Sequence, residues 1–103
     1  MIMENQKGVC MDISKIGLTL LLTGKVIIKD ENNIWEFYLK DGKSILLYEN
    51  NKLRGQKQLS GPVILPAHVR VGVEYLIDVL EIERLQVLLK IPRERMYHWK
   101  HNV

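Results

Sequence analysis

Val69–Ile91 reads VRVGVEYLIDVLEIERLQVLLKI, and the assignment of this run decides the fold. Val69, Val71, Val73, Tyr75, Ile77 and Val79 occupy every second position, with Arg70, Gly72, Glu74 and Asp78 among the residues between. Leu76 and Leu80 break the pattern. After Glu83-Arg84 the alternation resumes with Leu85, Val87, Leu89 and Ile91. Strand side chains alternate between faces, so the run predicts two strands sharing one buried face, joined by a turn at Ile82-Glu83-Arg84. The alternative is a helix over residues 74–84 with Glu74, Asp78 and Glu81 as its polar stripe. Two features oppose it. No Ser, Thr, Asp or Asn stands where an N-cap belongs, and β-branched residues crowd the run. Val69–Val79 as one straight strand would extend ~36 Å, at about 3.3 Å per residue. Either Gly72 bends it round a barrel corner, or one end pairs with another subunit.

Upstream, Lys25–Glu49 predicts a meander. Asp41-Gly42 between two apolar runs is a hairpin signal, because both central residues of that turn need positive φ. A two-residue turn sets Phe37 opposite Leu46 and Trp35 opposite Tyr48. Pairing Lys29 with Ile34 sets Ile28 beside Trp35 and Val26 beside Phe37. One face then collects Val26, Ile28, Trp35, Phe37, Leu39, Leu46 and Tyr48. The other face, with Ile27, Lys29, Ile34, Glu36, Tyr38, Ile45 and Leu47, is too apolar for simple solvation. Asp12–Gly24 carries helix start and stop residues, but Gly17, Thr19 and Thr23 favour a strand from about Leu18, with a short helix here as the close alternative. Asn50–Ser60 is a polar loop with Lys52, Arg54, Lys57 and no acid. Gly61–Pro66 is a short edge strand.

These elements predict a mainly β fold: a small antiparallel barrel or two-sheet sandwich of about six strands, with at most one short helix. The α+β alternative carries the helix over 74–84. The domain would run from 12 to 92. Residues 1–11 form an N-terminal extension, and 93–103 form a basic aromatic C-terminal tail.

Composition narrows the function classes. The chain has 103 residues, 47% of them hydrophobic, and a net charge of +3. That suits one ordered domain with a modest core. Cys10 is the only cysteine, so no intrachain disulfide forms, and a reducing, cytoplasmic setting fits. Ile16–Ile28 is the most apolar stretch, but Thr19, Thr23, Gly24 and Lys25 interrupt it, so no membrane span or export signal is expected.

The candidate binding residues are basic and aromatic. Arg93, Arg95, Tyr97, Trp99 and Lys100 combine phosphate-pairing charge with stacking rings, and Lys52, Arg54 and Lys57 could extend such a groove. The competing reading packs Tyr97 and Trp99 on the domain and leaves the charges in water. His98 and His101 have the spacing to share a metal, yet two ligands do not close a zinc site, and no metal site is expected. Nothing local activates Cys10 as a nucleophile. Glu74, Asp78, Glu81 and Glu83 read as one solvated edge. No catalytic residue and no cofactor are expected.

Gly61–Arg70, GPVILPAHVR, followed by an alternating hairpin, resembles the AbrB-type swapped-hairpin DNA-binding domains. Leu65-Pro66 and Arg70 carry the resemblance. The helical turn ending in Leu-Gly and the Gly-Asp turn of that pattern are missing here. The resemblance implies DNA binding by a dimer. The residues themselves favour a non-enzymatic protein-binding module, expected as a homo-oligomer. The grounds are an overlong apolar strand, a second apolar sheet face and the lack of a chemical motif. The alternative is a nucleic-acid-binding β-barrel using the tail and the 50–60 loop.

Overall fold

A computed structural model describes residues 2–4 as backbone and residues 12–94 in full. The chain is α+β, not mainly β, and its sheet is open, not a barrel or sandwich. The order is β1 (Ile2–Glu4), α1 (Ile13–Thr23), β2 (Lys25–Lys29), β3 (Ile34–Lys40), β4 (Ser44–Glu49), β5 (Lys52–Gln58), α2 (Pro66–Val79) and α3 (Glu83–Leu88). Strands β2 to β5 form an antiparallel meander, and β1 lies parallel against β2. The helices contribute Ile16, Leu20, Val69, Val73, Leu76, Ile77, Leu85 and Leu89 to one core with Val26, Ile28, Trp35, Phe37, Ile45 and Leu47 of the sheet.

The decisive run is helical. Val69, Val73, Leu76 and Ile77 are buried, and Leu80 packs against the core, a spacing of three and four residues. Leu76 and Leu80, the two exceptions to the alternation, are therefore core residues, while Val79 is exposed. The start of α2 explains the missing N-cap signal. Pro66 takes the first helical position, where its absent N–H costs nothing, and holds Leu65 extended at φ −99°, ψ 160°. His68 Nδ1 then accepts the Leu65 N–H at 3.0 Å, the reach-back half of a capping box. The swapped-hairpin resemblance fails here, since Pro66 and Arg70 lie in this helix and, among the described residues, no strand pair follows. Gly72 does not bend a strand. A Cβ there would come 2.7 Å from Ile45 Cδ1, so the missing side chain lets α2 settle onto the sheet.

No hairpin forms at 82–84. Ile82 N–H donates to Ile77 O at 3.0 Å, Glu81 N–H donates to Asp78 O at 3.0 Å, and Glu81 is left-handed at φ 56°. This is a Schellman ending without glycine. Helix α3 closes the same way, with Ile91 N–H on Gln86 O, Lys90 N–H on Val87 O, and Lys90 at φ 55°.

Helix α1 replaces the strand expected from Leu18. Asp12 accepts the Ser14 N–H at 3.0 Å and Gly24 ends the helix at φ 77°. Thr19 and Thr23 hydroxyls lie 2.9 and 2.7 Å from the carbonyls four residues back, and Thr23 Oγ1 also accepts the Lys25 N–H at 3.4 Å, so both threonines are used within the helix and its exit.

The β2–β3 register is the expected one, with Lys29 opposite Ile34 and Val26 opposite Phe37. The β3–β4 register is shifted by one residue. Asp41 and Gly42 have the positive φ expected, at 55° and 68°, but Lys40 pairs with Ser44, so the loop holds Lys43 as well. The Lys43 carbonyl is engaged by the Leu59 N–H at 2.7 Å. A shift of one residue exchanges the faces of a strand. Phe37 thus faces Leu47 and Trp35 faces Glu49. Ile45 and Leu47 enter the core, and Leu46 and Tyr48 turn outward.

The 50–60 stretch is mostly strand, not loop. Asn50 and Asn51, at φ 50° and 69°, make the turn into β5. Asn50 also accepts the Ile34 N–H on its side-chain oxygen at 2.9 Å, locking this turn to the start of β3. Residues 61–65 connect β5 to α2 without forming a strand.

Candidate functional site

All three helices lie on one face of the sheet, and among the described residues nothing covers the other. Alternation fixes what that open face displays: Lys25, Ile27 and Lys29 on β2, Ile34, Glu36, Tyr38 and Lys40 on β3, Ser44, Leu46 and Tyr48 on β4, and Leu53, Gln56 and Gln58 on β5. Antiparallel sheets with one solvated face usually read polar on that side. This one is mixed. Ile34 is 42% exposed and Leu53 53%.

Near its middle the face holds a depression of about 500 Å³ lined by Glu36, Tyr38, Leu46 and Tyr48, with Lys40 and Asn51 beside them. The Tyr38 and Tyr48 rings meet edge to face, 5.6 Å apart at 85°. The Tyr38 hydroxyl donates to Glu36 Oε2 at 2.5 Å, and that carboxylate lies 3.7 Å from Lys25 Nζ. By accepting a hydrogen bond from the protonated hydroxyl, Glu36 holds Tyr38 above the ordinary phenol range, with burial adding to it. Tyr38, and after it Glu36, holds Lys25 more firmly protonated than an isolated lysine. The ammonium also lies 5.2 Å from the Tyr38 ring centre. Lys25 and Glu36 are thus paired with each other on this face.

The basic residues singled out from the sequence are not gathered into one groove. Lys52, Arg54 and Lys57 lie on the edge strand β5. Arg54 pairs with the Glu49 carboxylate, whose other oxygen accepts the buried Trp35 indole N–H at 2.8 Å. Lys57 Nζ lies 4.7 Å from the Tyr75 ring centre on α2, and Lys52 is exposed. Arg93 is exposed just after α3. Arg95, Tyr97, Trp99 and Lys100, like Cys10, His98 and His101, lie outside the described residues.

The four acids do not form a solvated edge. Glu81 and Glu83 are exposed, but Glu74 is fully buried and Asp78 nearly so. Arg70, one turn before Glu74, donates to both its oxygens at 2.9 and 3.1 Å. Among the described residues, no group of three or more His, Cys, Asp or Glu could hold a metal ion, and no helix is long and apolar enough to cross a membrane.

The sequence misplaced Leu46 and Tyr48, the two β4 residues of this surface, because the turn chemistry of Asp41-Gly42 does not report that Lys43 joins the loop. No protein-family model, no curated protein and no solved structure matches this chain.

Proposed function

We propose that this chain is a non-enzymatic interaction module that self-associates through the open face of its sheet. The observation behind this reading is the apolar and tyrosine-rich display of Ile27, Ile34, Tyr38, Leu46, Tyr48 and Leu53 opposite the helices. Contiguous apolar surface of this kind marks interaction sites in soluble proteins. The opposite charges of Lys25 and Glu36, side by side on this face, favour a second copy as the occupant. Lys25 and Glu36 lie close together, so a two-fold axis through the patch can set each against its opposite in the other subunit. Two sheets packed face to face would bury both patches and the tyrosine-lined depression between them.

The test is the solution mass of the full chain by light scattering, with Leu46→Asp as the perturbing variant. A wild-type dimer at micromolar concentration and a folded monomeric variant are the expected results. A monomeric wild type, or a variant that stays dimeric, overturns the reading. Nucleic-acid binding finds less support in the geometry. Arg54 is engaged by Glu49, and Lys57 is stacked on Tyr75.

A further inference from the structure

We infer that the open edge of β5 is a docking edge for an extended acidic segment of another protein, which would add to the sheet as its next strand. This surface is distinct from the open face and does not rest on the self-association reading. β5 is the last strand of the sheet and, among the described residues, has a neighbour only on the β4 side. Leu59 N–H, just past the strand, donates inward to Lys43 O at 2.7 Å. Backbone groups alternate in direction along a strand, so Lys57 and Gly55 also point toward β4, while Gln56 and Gln58 present N–H and C=O outward. An edge with exposed donors and acceptors is a template for strand addition.

The side chains select the occupant. Between Asn50 and Ser60 every charged residue is basic. Lys57 pairs with inward-facing Ile45, so it stands on the helix side of β5, where Tyr75 holds it. Between Lys57 and Lys52 lies Gly55, whose missing side chain leaves room for Leu80 and Leu76 of α2. An added strand thus meets cations at either end of this side and an apolar helix flank at the middle. A segment whose every second residue runs acidic, apolar, acidic fits. A second copy paired through β5 does not fit, because it would set Lys and Arg against Lys and Arg.

The test uses the full chain and a labelled soluble peptide in which every second residue runs glutamate, valine, glutamate with serine between them, read by fluorescence anisotropy. The glutamate peptide is expected to bind, and to weaken steeply with added salt, while its lysine counterpart does not bind. Gln56→Pro removes one outward N–H without touching the ladder to β4, and edge strands tolerate such a proline. It should weaken binding by roughly tenfold or more, with circular dichroism unchanged. Methylating alternate amide nitrogens of the peptide asks the same question of an unaltered protein and should also remove binding. Lys52→Glu should weaken binding several-fold, mainly through slower association. Leu46→Asp, which addresses self-association, should leave peptide binding intact. Equal binding of the lysine peptide, insensitivity to both Gln56→Pro and amide methylation, or capture of a single-stranded oligonucleotide in place of the peptide overturns the inference.

Discussion

Gly17 of α1 rests against the backbone of Pro66 at the start of α2. A Cβ built on Gly17 would lie 2.1 Å from the Pro66 carbonyl oxygen and 2.9 Å from its carbon. This glycine makes the helix crossing possible. Gly17→Ala gains about 1 kcal/mol of helix propensity. The contact it creates is with main chain, which cannot rotate away, and overpacking of that kind typically costs ~1–3 kcal/mol. The clash is expected to win. A urea denaturation midpoint below that of the wild type is the outcome; an unchanged or raised midpoint would show that the crossing is looser than described.

The shifted β3–β4 register is open to a paired substitution. Ile45 is fully buried, while Leu46 faces outward. Ile45→Asp places an unpaired carboxylate in the core and is expected to cost upward of ~4 kcal/mol, enough to unfold a marginal domain. Leu46→Asp should change monomer stability by no more than ~0.5 kcal/mol, as surface changes do. Thermal melts of both variants distinguish the registers, because the two-residue turn predicts the reverse ranking.

Arg84 at the start of α3 donates to Asp30 after β2, from Nε at 2.5 Å and Nη2 at 3.2 Å. That bond, helped by the Glu31 backbone N–H, holds the Asp30 carboxyl below the usual carboxylate range. A depressed folded-state pKa stabilises the fold fully above the unfolded carboxylate value, and the contribution is lost as pH falls through the folded value. Arg84→Gln should therefore lower stability at neutral pH and flatten its acid dependence. Coincident acid-unfolding curves for the variant and the wild type would refute this.

Glu49 serves two donors, the Trp35 indole and the Arg54 guanidinium. Glu49→Ala leaves the buried indole N–H without its acceptor, a loss of about 1–3 kcal/mol. Glu49→Gln keeps an acceptor and should lose less. Urea titration followed by tryptophan fluorescence gives both values.

Lys90 occupies the left-handed position that ends α3, at φ 55°. That conformation costs a residue with a Cβ roughly 1–2 kcal/mol, and glycine returns part of the gain through its looser unfolded chain. Lys90→Gly should raise stability by up to ~1 kcal/mol. A lower melting temperature would contradict it.

The same two endings show why half the fold was hard to read. Without glycine at Glu81 or Lys90, no stop signal marked either helix. Valines at 69, 71, 73 and 79 supplied a two-residue beat, although only Val69 and Val73 are buried. Helix α2 tolerates these residues because the sheet packs beneath it, so tertiary contact overrides a weak propensity. β5 was invisible for the opposite reason. As an edge strand, it offers the core little beyond Gly55 and the stem of Lys57, and a polar composition is enough. Where caps were local and complete, as at Asp12 and Gly24, the signals were present and outweighed only by Gly17, Thr19 and Thr23. Where pairing was local, as between β2 and β3, residue pattern alone set the register. Of the candidate surface, Ile27, Ile34 and Tyr38 were on the expected face. Leu46 and Tyr48 reached it through a loop one residue longer.

Between Lys25 and Gln58 every strand pairs with the next in sequence, so loop closure is cheap at each step and the meander can zip hairpin by hairpin. β1 breaks that economy. Being parallel to β2, it must wait for α1 to carry the chain across, and it aligns only against a strand already in place. β1, though made before its partner, is thus expected to dock late, and during synthesis the outer edge of β2 stands bare until it does.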